Sequence, residues 1–592
     1  MEKSEVLTVP AKRFSLEPIC LKVEAGLQEV LQKLDAGGKL GLPAGIVLVL
    51  NDDGSLMGTI TDGDVRRALM TNKSLDIGAR DIVNLDPVTF PEEYSITMIR
   101  EELPVQLVKR HKSARAFSSK IPLLDKNRKP VRLIETHQLW EQKVATHRHL
   151  VVVGLGYVGL TMALALADVG YTVTGIDVDP KKLDMLRNGV SYVHEVGLEE
   201  LLRETIGRNF KVSDTIPDDG DVFIISVGTP VIDNPITGKP EPILDYLRHA
   251  VNAIAGKLKQ SSLVILRSTV PIGTCRTVVK EQLEEQSGLR CGMDFHLAFA
   301  PERTAEGKAL KELRELPQLI GGFDSDSTEA TVALFKELTS TIIRVDSLEA
   351  AEMAKLINNS FRDYVFAYSN QVAQIAGFYN INVNDVIRAA NEGYPRDKVP
   401  FPSPGVGGPC LTKDPYIFAS VAEKLDVNGD SFQHSRRINL SMHGHVKNQL
   451  LTLLKMAGKN PSEAKVLVCG LAFKGHPETG DLRNSTSIEI LNLLRSDIGQ
   501  IWGYDPVATP EEIREFDINP VELPDGFAGM DAVVFLNNHR SFEKIDVFSM
   551  TRSMAERPVI YDGWGLFRHD EILHTRPCLF SGLSFYRSSL EG

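Results

Sequence analysis

The run from Leu150 to Ala167 carries no charge over 18 residues, which brings it to the lower edge of a transmembrane span. Its internal pattern is different. Leu150-Val-Val-Val153 is strand-like, Gly154, Gly156 and Gly159 interrupt it, and Met162-Ala-Leu-Ala-Leu-Ala167 is small and helical. The segment therefore reads as strand, turn and helix. The alternation continues through LVVVG, YTVTGID, VFIISVG, SLVILRST and HLAFAPE, apolar runs separated by helical patterns. That predicts an α/β fold with a doubly wound parallel sheet. From residue 346 to about 380 the spacing becomes three and four, with Met353, Ile357, Phe361, Tyr364, Tyr368, Val372 and Ile375 on one stripe. One long helix, polar on its other faces, is expected. After a Pro/Gly-rich loop at 395–409 and more helix, a second α/β pattern starts at KVLVCG (465–470) and predicts a second nucleotide-binding-like domain.

The first ~145 residues repeat a different unit. GIVLVL (45–50), the turn Asn51-Asp-Asp-Gly54, LMGTIT (56–61) and the helical DGDVRRALM form a hairpin that leads into a helix. A weaker echo at IPLLD, KNRKP and VRLIE (121–135) predicts a tandem of two similar α+β units. Residues 138 to 149, charged and free of Gly and Pro, are expected to form a connecting helix.

Length and composition narrow the classes. At roughly 150 residues per domain, 592 residues predict about four units. The 43% hydrophobic and 24% charged content is ordinary globular composition and excludes collagen-like and disordered chains. A net charge of −12 has the wrong sign for a broad nucleic-acid interface. An anionic substrate would need a locally basic pocket. The six cysteines, at 20, 275, 291, 410, 469 and 578, include no C-x-x-C, so neither a disulfide framework nor a metal site is expected. The opening MEKSEVLTVPAKRF lacks the apolar stretch of a secretory signal. A cytoplasmic location without a membrane span is expected.

Gly154-x-Gly156-x-x-Gly159 is weak evidence alone, but it follows a strand and opens a helix, and the next strand ends at Asp177. Glycines let the backbone approach a pyrophosphate, which the helix N-terminus attracts, and the acid takes the ribose hydroxyls. Dinucleotide binding follows, with NAD preferred over NADP. Lys355 and Asn359 stand four apart on one face of the long helix, where a solvated surface is the commoner reading of such a pair. Gly405-Val-Gly-Gly-Pro-Cys410-Leu-Thr-Lys413-Asp414 is sharper. Five Pro or Gly among residues 404–409 make a loop, so Cys410 reads as a nucleophile rather than a packed thiol.

Together these residues resemble the UDP-glucose/GDP-mannose dehydrogenase family, the nucleotide-sugar 6-dehydrogenases, over about 148 to 575. The likeness rests on VVGLGYVGL (152–160, which includes Tyr157 and Val158), SVGTP (226–230), RSTVPIGT (267–274), EMAKLINNSF (352–361), GVGGPCLTKD (405–414) and GLAFKG with its following D, R and S (470–485). The resemblance implies an NAD-binding Rossmann domain at 148–345, a central helical dimerisation domain with the cysteine loop at 346–445, and a UDP-sugar-binding domain at 446–592. It also implies a four-electron oxidation of a sugar C6 alcohol to a carboxylate with two NAD, for polysaccharide biosynthesis. An aldehyde cannot easily surrender a hydride until something adds to its carbonyl. A thiolate at Cys410 would form a thiohemiacetal and then a thioester for water to cleave.

The same likeness gives Lys355 and Asn359 the developing oxyanion, Asp414 the water, and Glu302 an acid/base role in hydrolysis. Lys355 is also expected to lower the Cys410 pKa. Lys182, Thr229, Thr269, Glu306 and Arg483 are expected near NAD. Lys474 and the loop 401–405, from Phe401 to Gly405, are expected at the nucleotide sugar. Arg396 is matched to an arginine that a partner chain donates, within a homodimer or higher homo-oligomer built on the long helix. Arg303, after Pro301-Glu302, replaces an aromatic residue of members acting on plain glucose. An arginine there can donate to an acyl carbonyl, which favours a UDP-N-acetylhexosamine such as UDP-GlcNAc or UDP-ManNAc. The following Ala305-Glu-Gly307 leaves UDP-glucose open.

Residues 1–145 resemble a tandem of cystathionine-β-synthase (CBS) domains, modules that often bind adenine nucleotides. Gly58-Thr-Ile-Thr61-Asp-Gly-Asp64 fits the ligand motif, which implies Thr61 for phosphate and Asp64 for ribose, whereas LIETHQ (133–138) lacks the pair. The basic run Lys109-Arg-His-Lys112 with Arg115 reads as a solvated helix face. Two rivals stand beside this reading. One is a two-electron hydroxyacid dehydrogenase of the 6-phosphogluconate type, disfavoured by Cys410 and a third domain. The other is a non-catalytic nucleotide sensor, disfavoured by intact Lys355, Asn359, Cys410 and Asp414.

Overall fold

The computed structural model describes residues 16–39, 45–72, 76–94, 98, 99, 102, 103, 106, 120–135, 148–235 and 238–590. The chain forms two compact units, Met1–Ala145 and Thr146–Gly592. The basic run at 109–115 and residues 138–147 of the expected connecting helix lie outside the described residues. The last residue of that stretch, His149, opens a strand instead.

In the first unit, Cys20–Lys22 pairs parallel with Ile46–Leu50, which pairs antiparallel with Leu56–Thr61. A second sheet repeats this: Phe90–Pro91 is parallel to Lys120–Leu124, which is antiparallel to Pro130–Glu135. Both hairpins shift register at the matching place, between Val49 and Leu50 and between Leu123 and Leu124. The two sheets share a core, in which Ile46, Leu48 and Leu56 meet Leu124 and Leu133. The apolar faces of the two short sheets cover one another.

The second unit contains two large sheets. One runs, edge to edge, Ile342–Val345, Gln318–Gly322, His296–Phe299, Leu263–Leu266, Val222–Ile225, His149–Val153, Thr172–Ile176 and Phe210–Ser213. Its strands are parallel except where Gln318–Gly322 reverses against His296–Phe299. Every residue of Val222–Ile225 and Leu263–Leu266 is buried, which is why these strands read as continuous apolar runs. The other sheet runs Asn519–Pro520, Gln500–Tyr504, Lys465–Cys469, Ala532–Phe535, Val559–Asp562, Leu579–Ser581 and Tyr586–Ser588, with only the last strand antiparallel.

Between the sheets in sequence lies the long helix Leu348–Phe378, capped by the Ser347 hydroxyl accepting from Ala350 N. It packs on the helix Asp430–Met456. The burial of the long helix inverts the usual rule. Its apolar stripe is open, with Phe361 66% and Tyr368 55% exposed, while Glu352, Lys355, Asp363 and Asn370 are buried. A Lys/Asn pair that would ordinarily read as solvated surface therefore faces the interior.

Candidate functional site

The strand His149–Val153 ends at Gly154, whose φ of +91° only glycine adopts readily. A Cβ there would lie 2.9 Å from the Ser226 main chain, and one on Gly159 would overlap the Gly154 carbonyl. Over Gly156 there is open space, and no side chain caps the helix Tyr157–Asp168 that it starts. The first amides of this helix and the space over Gly156 suit a pyrophosphate. Asp177 follows the neighbouring strand and accepts from Leu155 N at 2.9 Å, so the acid is fixed to the glycine turn. Thr229 Oγ1 donates to the Thr269 carbonyl at 2.5 Å, which joins the SVGTP and RSTVPIGT segments. Lys182 lies over the Tyr192 ring, 5.5 Å from its centroid. These residues fit NAD.

The long helix reaches this domain through side chains that the sequence reading missed. Glu352 accepts from Gly273 N at 2.5 Å and Cys275 N at 2.8 Å. One turn on, the buried Lys355 ammonium donates to the Glu302 carbonyl. Arg267, also buried, donates to the Glu302 carboxylate, which further accepts from Arg303 N at 2.7 Å and Thr304 N at 2.8 Å. Burial would push Glu302 up, but Arg267 and these amides hold it below the usual carboxylate range. An ionised Glu302 can take a proton but has none to give near neutrality, which narrows the expected acid/base role to that of a base.

Cys410 ends the loop and Asp414 begins the helix Asp414–Lys424 one turn later, its amide donating to the Cys410 carbonyl at 2.9 Å. Asp414 is fully buried, and its carboxylate accepts from Asn359 Nδ2 at 2.5 Å and Lys413 Nζ at 2.7 Å. Lys355, Asn359, Glu302, Asp414 and Cys410 are thus gathered around the long helix. Cys410 is exposed, whereas Cys275, Cys291, Cys469 and Cys578 are buried. Lys355 pulls the thiol pKa down as expected, but the net direction is upward. Protein crowding the sulfur and the Asp414 charge raise it, against the weaker pull of Lys355 and Lys413.

The loop 401–408 is set by a polar network that the sequence reading also missed. Arg436 and Asp363, both buried, pair at 2.6 Å, and Arg436 donates to the Val406 carbonyl at 3.2 Å. Asn439 bonds Asp363 and Asn370, and Asn370 accepts from Ser403 N at 2.8 Å. The signal was present in part: Asn359, Asp363 and Asn370 continue the Lys355 face by four and seven. Gly405 has φ +145°, and a Cβ there would sit 2.9 Å from His443 and Thr486. A Cβ on Gly408 would strike the Phe473 ring at 2.6 Å.

On the C-terminal sheet's side, Lys474 Nζ donates to the Glu306 carbonyl at 2.8 Å, and Arg483 clasps Asp481 at 2.9 and 2.5 Å. Burial and Asp481 push the Glu306 carboxyl up to about 7, despite Lys474 and Arg483. Other expected substrate residues stand apart. Arg303 gives its guanidinium to the Pro317 carbonyl, Arg396 lies against Tyr394, and Arg388 stacks on Phe401. The Arg303 guanidinium thus turns away from Glu302, although its main-chain N–H donates to the Glu302 carboxylate. In the first unit, Asp64 accepts from Thr61 N at 2.9 Å, Thr61 Oγ1 at 2.6 Å and Arg67 at 2.5 Å. Among the described residues no three His, Cys, Asp or Glu side chains cluster to hold a metal, and no helix is long and apolar enough to cross a membrane.

Comparison with known proteins agrees with this layout. Residues 148–339, 349–441 and 467–569 match the NAD binding, central and UDP binding domains of the UDP-glucose/GDP-mannose dehydrogenase family, and residues 11–71 match a CBS domain. The chain is similar to the UDP-N-acetyl-D-mannosamine dehydrogenase of Pyrococcus horikoshii, with 33% identity over 72% of this chain and 97% of that one. It is 31% identical to the NDP-N-acetyl-D-galactosaminuronic acid dehydrogenase of Ralstonia nicotianae over 67% of this chain and 92% of that one. The solved Pyrococcus horikoshii structure superposes with a TM-score of 0.65 at 32% identity, covering 74% of this chain and 99% of that one. A UDP-glucose dehydrogenase from Pyrobaculum islandicum gives 0.63 at 25% identity, over 75% and 99% of the two chains.

Proposed function

From the premise that the chain belongs to the UDP-glucose/GDP-mannose dehydrogenase family, we propose that it oxidises C6 of a UDP-N-acetylhexosamine, such as UDP-GlcNAc or UDP-ManNAc, to the uronic acid through Cys410. It is an NAD-dependent nucleotide-sugar dehydrogenase. The observation that carries the mechanism is that Asn359 and Asp414 are bonded to one another at the cysteine loop, with the Lys355 charge acting on the Cys410 thiol.

The glycine turn and Asp177 would hold NAD, which would supply the hydride acceptor for each two-electron step. Cys410 Sγ adds to the C6 aldehyde carbon, and the carbonyl oxygen takes the negative charge. The Lys355 ammonium and the Asn359 amide are donors suited to that oxyanion, and in a dry site such donors count for more than in water. Collapse of that oxyanion expels the C6 hydrogen as a hydride and leaves the thioester; water then adds to its carbonyl and the C–S bond breaks, returning the thiolate. Glu302, held ionised, accepts the water's proton at a carboxylate oxygen, and Asp414 orients the water. Lys474 suits the diphosphate of the nucleotide sugar, and Arg483 that of NAD.

The N-acetyl preference is supported by relatives named UDP-N-acetyl-D-mannosamine dehydrogenase. Because Arg303 donates to Pro317, a role at the acyl group requires its side chain to turn. A panel of UDP-GlcNAc, UDP-ManNAc, UDP-glucose and GDP-mannose with NAD, read by absorbance of NADH, tests the substrate. A kcat/KM for UDP-glucose tenfold or more above both N-acetyl sugars overturns this choice. The open stripe of Phe361, Tyr364 and Tyr368 supports a homodimer built on the long helix, since so large an apolar row on one element marks an interface. The Thr61–Asp64 pair supports an adenine nucleotide as the ligand of the first unit.

A further inference from the structure

We infer that Glu195 is a positioning residue for the oxidation, fastening the segment 302–307 to the first turn of the dinucleotide-binding helix. The inference rests on reading the Cys410 site as a nucleotide-sugar dehydrogenase. Glu195 is buried, 8% exposed, in the connection between the helices Pro180–Arg187 and Leu198–Thr205. Its Oε2 accepts from the Tyr157 hydroxyl and, at 2.8 Å, from Gly307 N. The same Gly307 amide points at the Tyr157 oxygen at 3.0 Å. Tyr157 is the first residue of the helix that Gly156 opens. Burial and the neighbouring Glu195 keep the proton on the Tyr157 phenol, so it is the donor.

A carboxylate taken out of water is costly unless it is hydrogen-bonded. Here the compensating donors come from 38 and 112 residues away, so local turn geometry does not account for them. Both lie on segments the chemistry uses. The rest of the 302–307 segment is held elsewhere: Lys355 donates to the Glu302 carbonyl, Lys474 donates to the Glu306 carbonyl, and a Cβ on Gly307 would overlap the Glu478 carbonyl. Glu195 and Tyr157 thus tie the cofactor end of the segment to the glycine turn, while Lys355 ties its catalytic end to the long helix. Releasing the first tie should disturb both NAD affinity and the placement of Glu302.

The test uses the full chain as wild type, Tyr157→Phe, Glu195→Gln, Glu195→Ala and Tyr157→Phe with Glu195→Ala. NAD affinity is titrated without sugar, kcat and KM for NAD are measured with the best substrate of the panel, and each Tm is recorded. Glu195→Ala is expected to weaken NAD binding and lower kcat by about tenfold each, the scale of a charge-assisted hydrogen bond. Glu195→Gln keeps an acceptor oxygen and should recover most of the loss. The double variant should be no worse than Glu195→Ala, because both changes break one unit. Losses that multiply, or a lowered Tm with unchanged NAD affinity and kcat, overturn the inference. If Glu195→Ala does not fold, Tyr157→Phe, which removes one oxygen, must still weaken NAD binding severalfold. A wild type that binds NAD but oxidises no nucleotide sugar would refute the function instead, and the NAD titrations would still decide the role of Glu195.

Discussion

Asn359 donates to Asp414 at 2.5 Å across 55 residues of sequence, and the Asp414 amide in turn holds the Cys410 carbonyl. The long helix therefore holds the cysteine loop, its earlier part through Asp363 and Asn370 and its end through the buried Asp414 carboxylate. The same carboxylate stands where it opposes thiolate formation, with Lys355 and Lys413 opposing it.

This relationship predicts the pH dependence. The thiolate is the reactive form, and the Cys410 pKa is raised in the folded enzyme, so reactivity increases as pH rises through and beyond the ordinary cysteine range of about 8.5. Alkylation of Cys410 by iodoacetamide, followed residue by residue by mass spectrometry, should still be climbing above pH 9. Asp414→Asn should shift the curve to lower pH. A plateau below pH 8 in the wild type contradicts the assignment.

The buried Asp363–Arg436 pair holds Val406 and, through Asn370, Ser403. Asp363→Ala leaves the Arg436 charge uncompensated, which costs about 3–5 kcal/mol in such sites. Denaturation of the second unit at lower temperature, together with a raised KM for the nucleotide sugar, is the expected result. A change under about 1 kcal/mol would show that Arg436 finds another partner.

Phe361→Asp with Tyr368→Asp places charges on the open stripe of the long helix. If that stripe is the homodimer interface, light scattering should show the double variant reduced to monomer at concentrations where the wild type is dimeric. An unchanged mass places the contact elsewhere.

In the first unit, AMP or ATP should change dehydrogenase activity, with a coupling of about 1–3 kcal/mol if it resembles other effector sites. Asp64→Ala, which removes the acceptor of Thr61 and Arg67, should abolish the response. An equal response in wild type and variant, or none in either, contradicts a ligand at Thr61 and Asp64.

The sheets were legible because parallel strands buried on both faces must be apolar throughout, as in Val222–Ile225. The glycine turn was legible because Gly154 and Gly159 have no room for a side chain. The long helix showed its period but not its orientation: apolar spacing gives a face, and only the surrounding chain decides whether that face is covered. Glu195, Arg267, Glu352 and Arg436 escaped notice because their partners lie 35 or more residues away. The pull of Lys355 on the Cys410 pKa was visible in the motif, while the crowding of the sulfur and the fixed Asp414 carboxylate that outweigh it emerge only in the fold.

The central claim is that Cys410 carries the second oxidation as a covalent nucleophile, and counting NADH per sugar tests it most directly. Wild type should form two NADH for each sugar acid. Cys410→Ala should still bind NAD and the nucleotide sugar, while acid formation falls by as much as the ~10⁴-fold or more seen when a covalent nucleophile is removed. Any residual first oxidation should then leave an aldehyde that a carbonyl trap captures. A Cys410→Ala enzyme that releases two NADH per sugar at close to the wild-type rate would contradict the covalent mechanism.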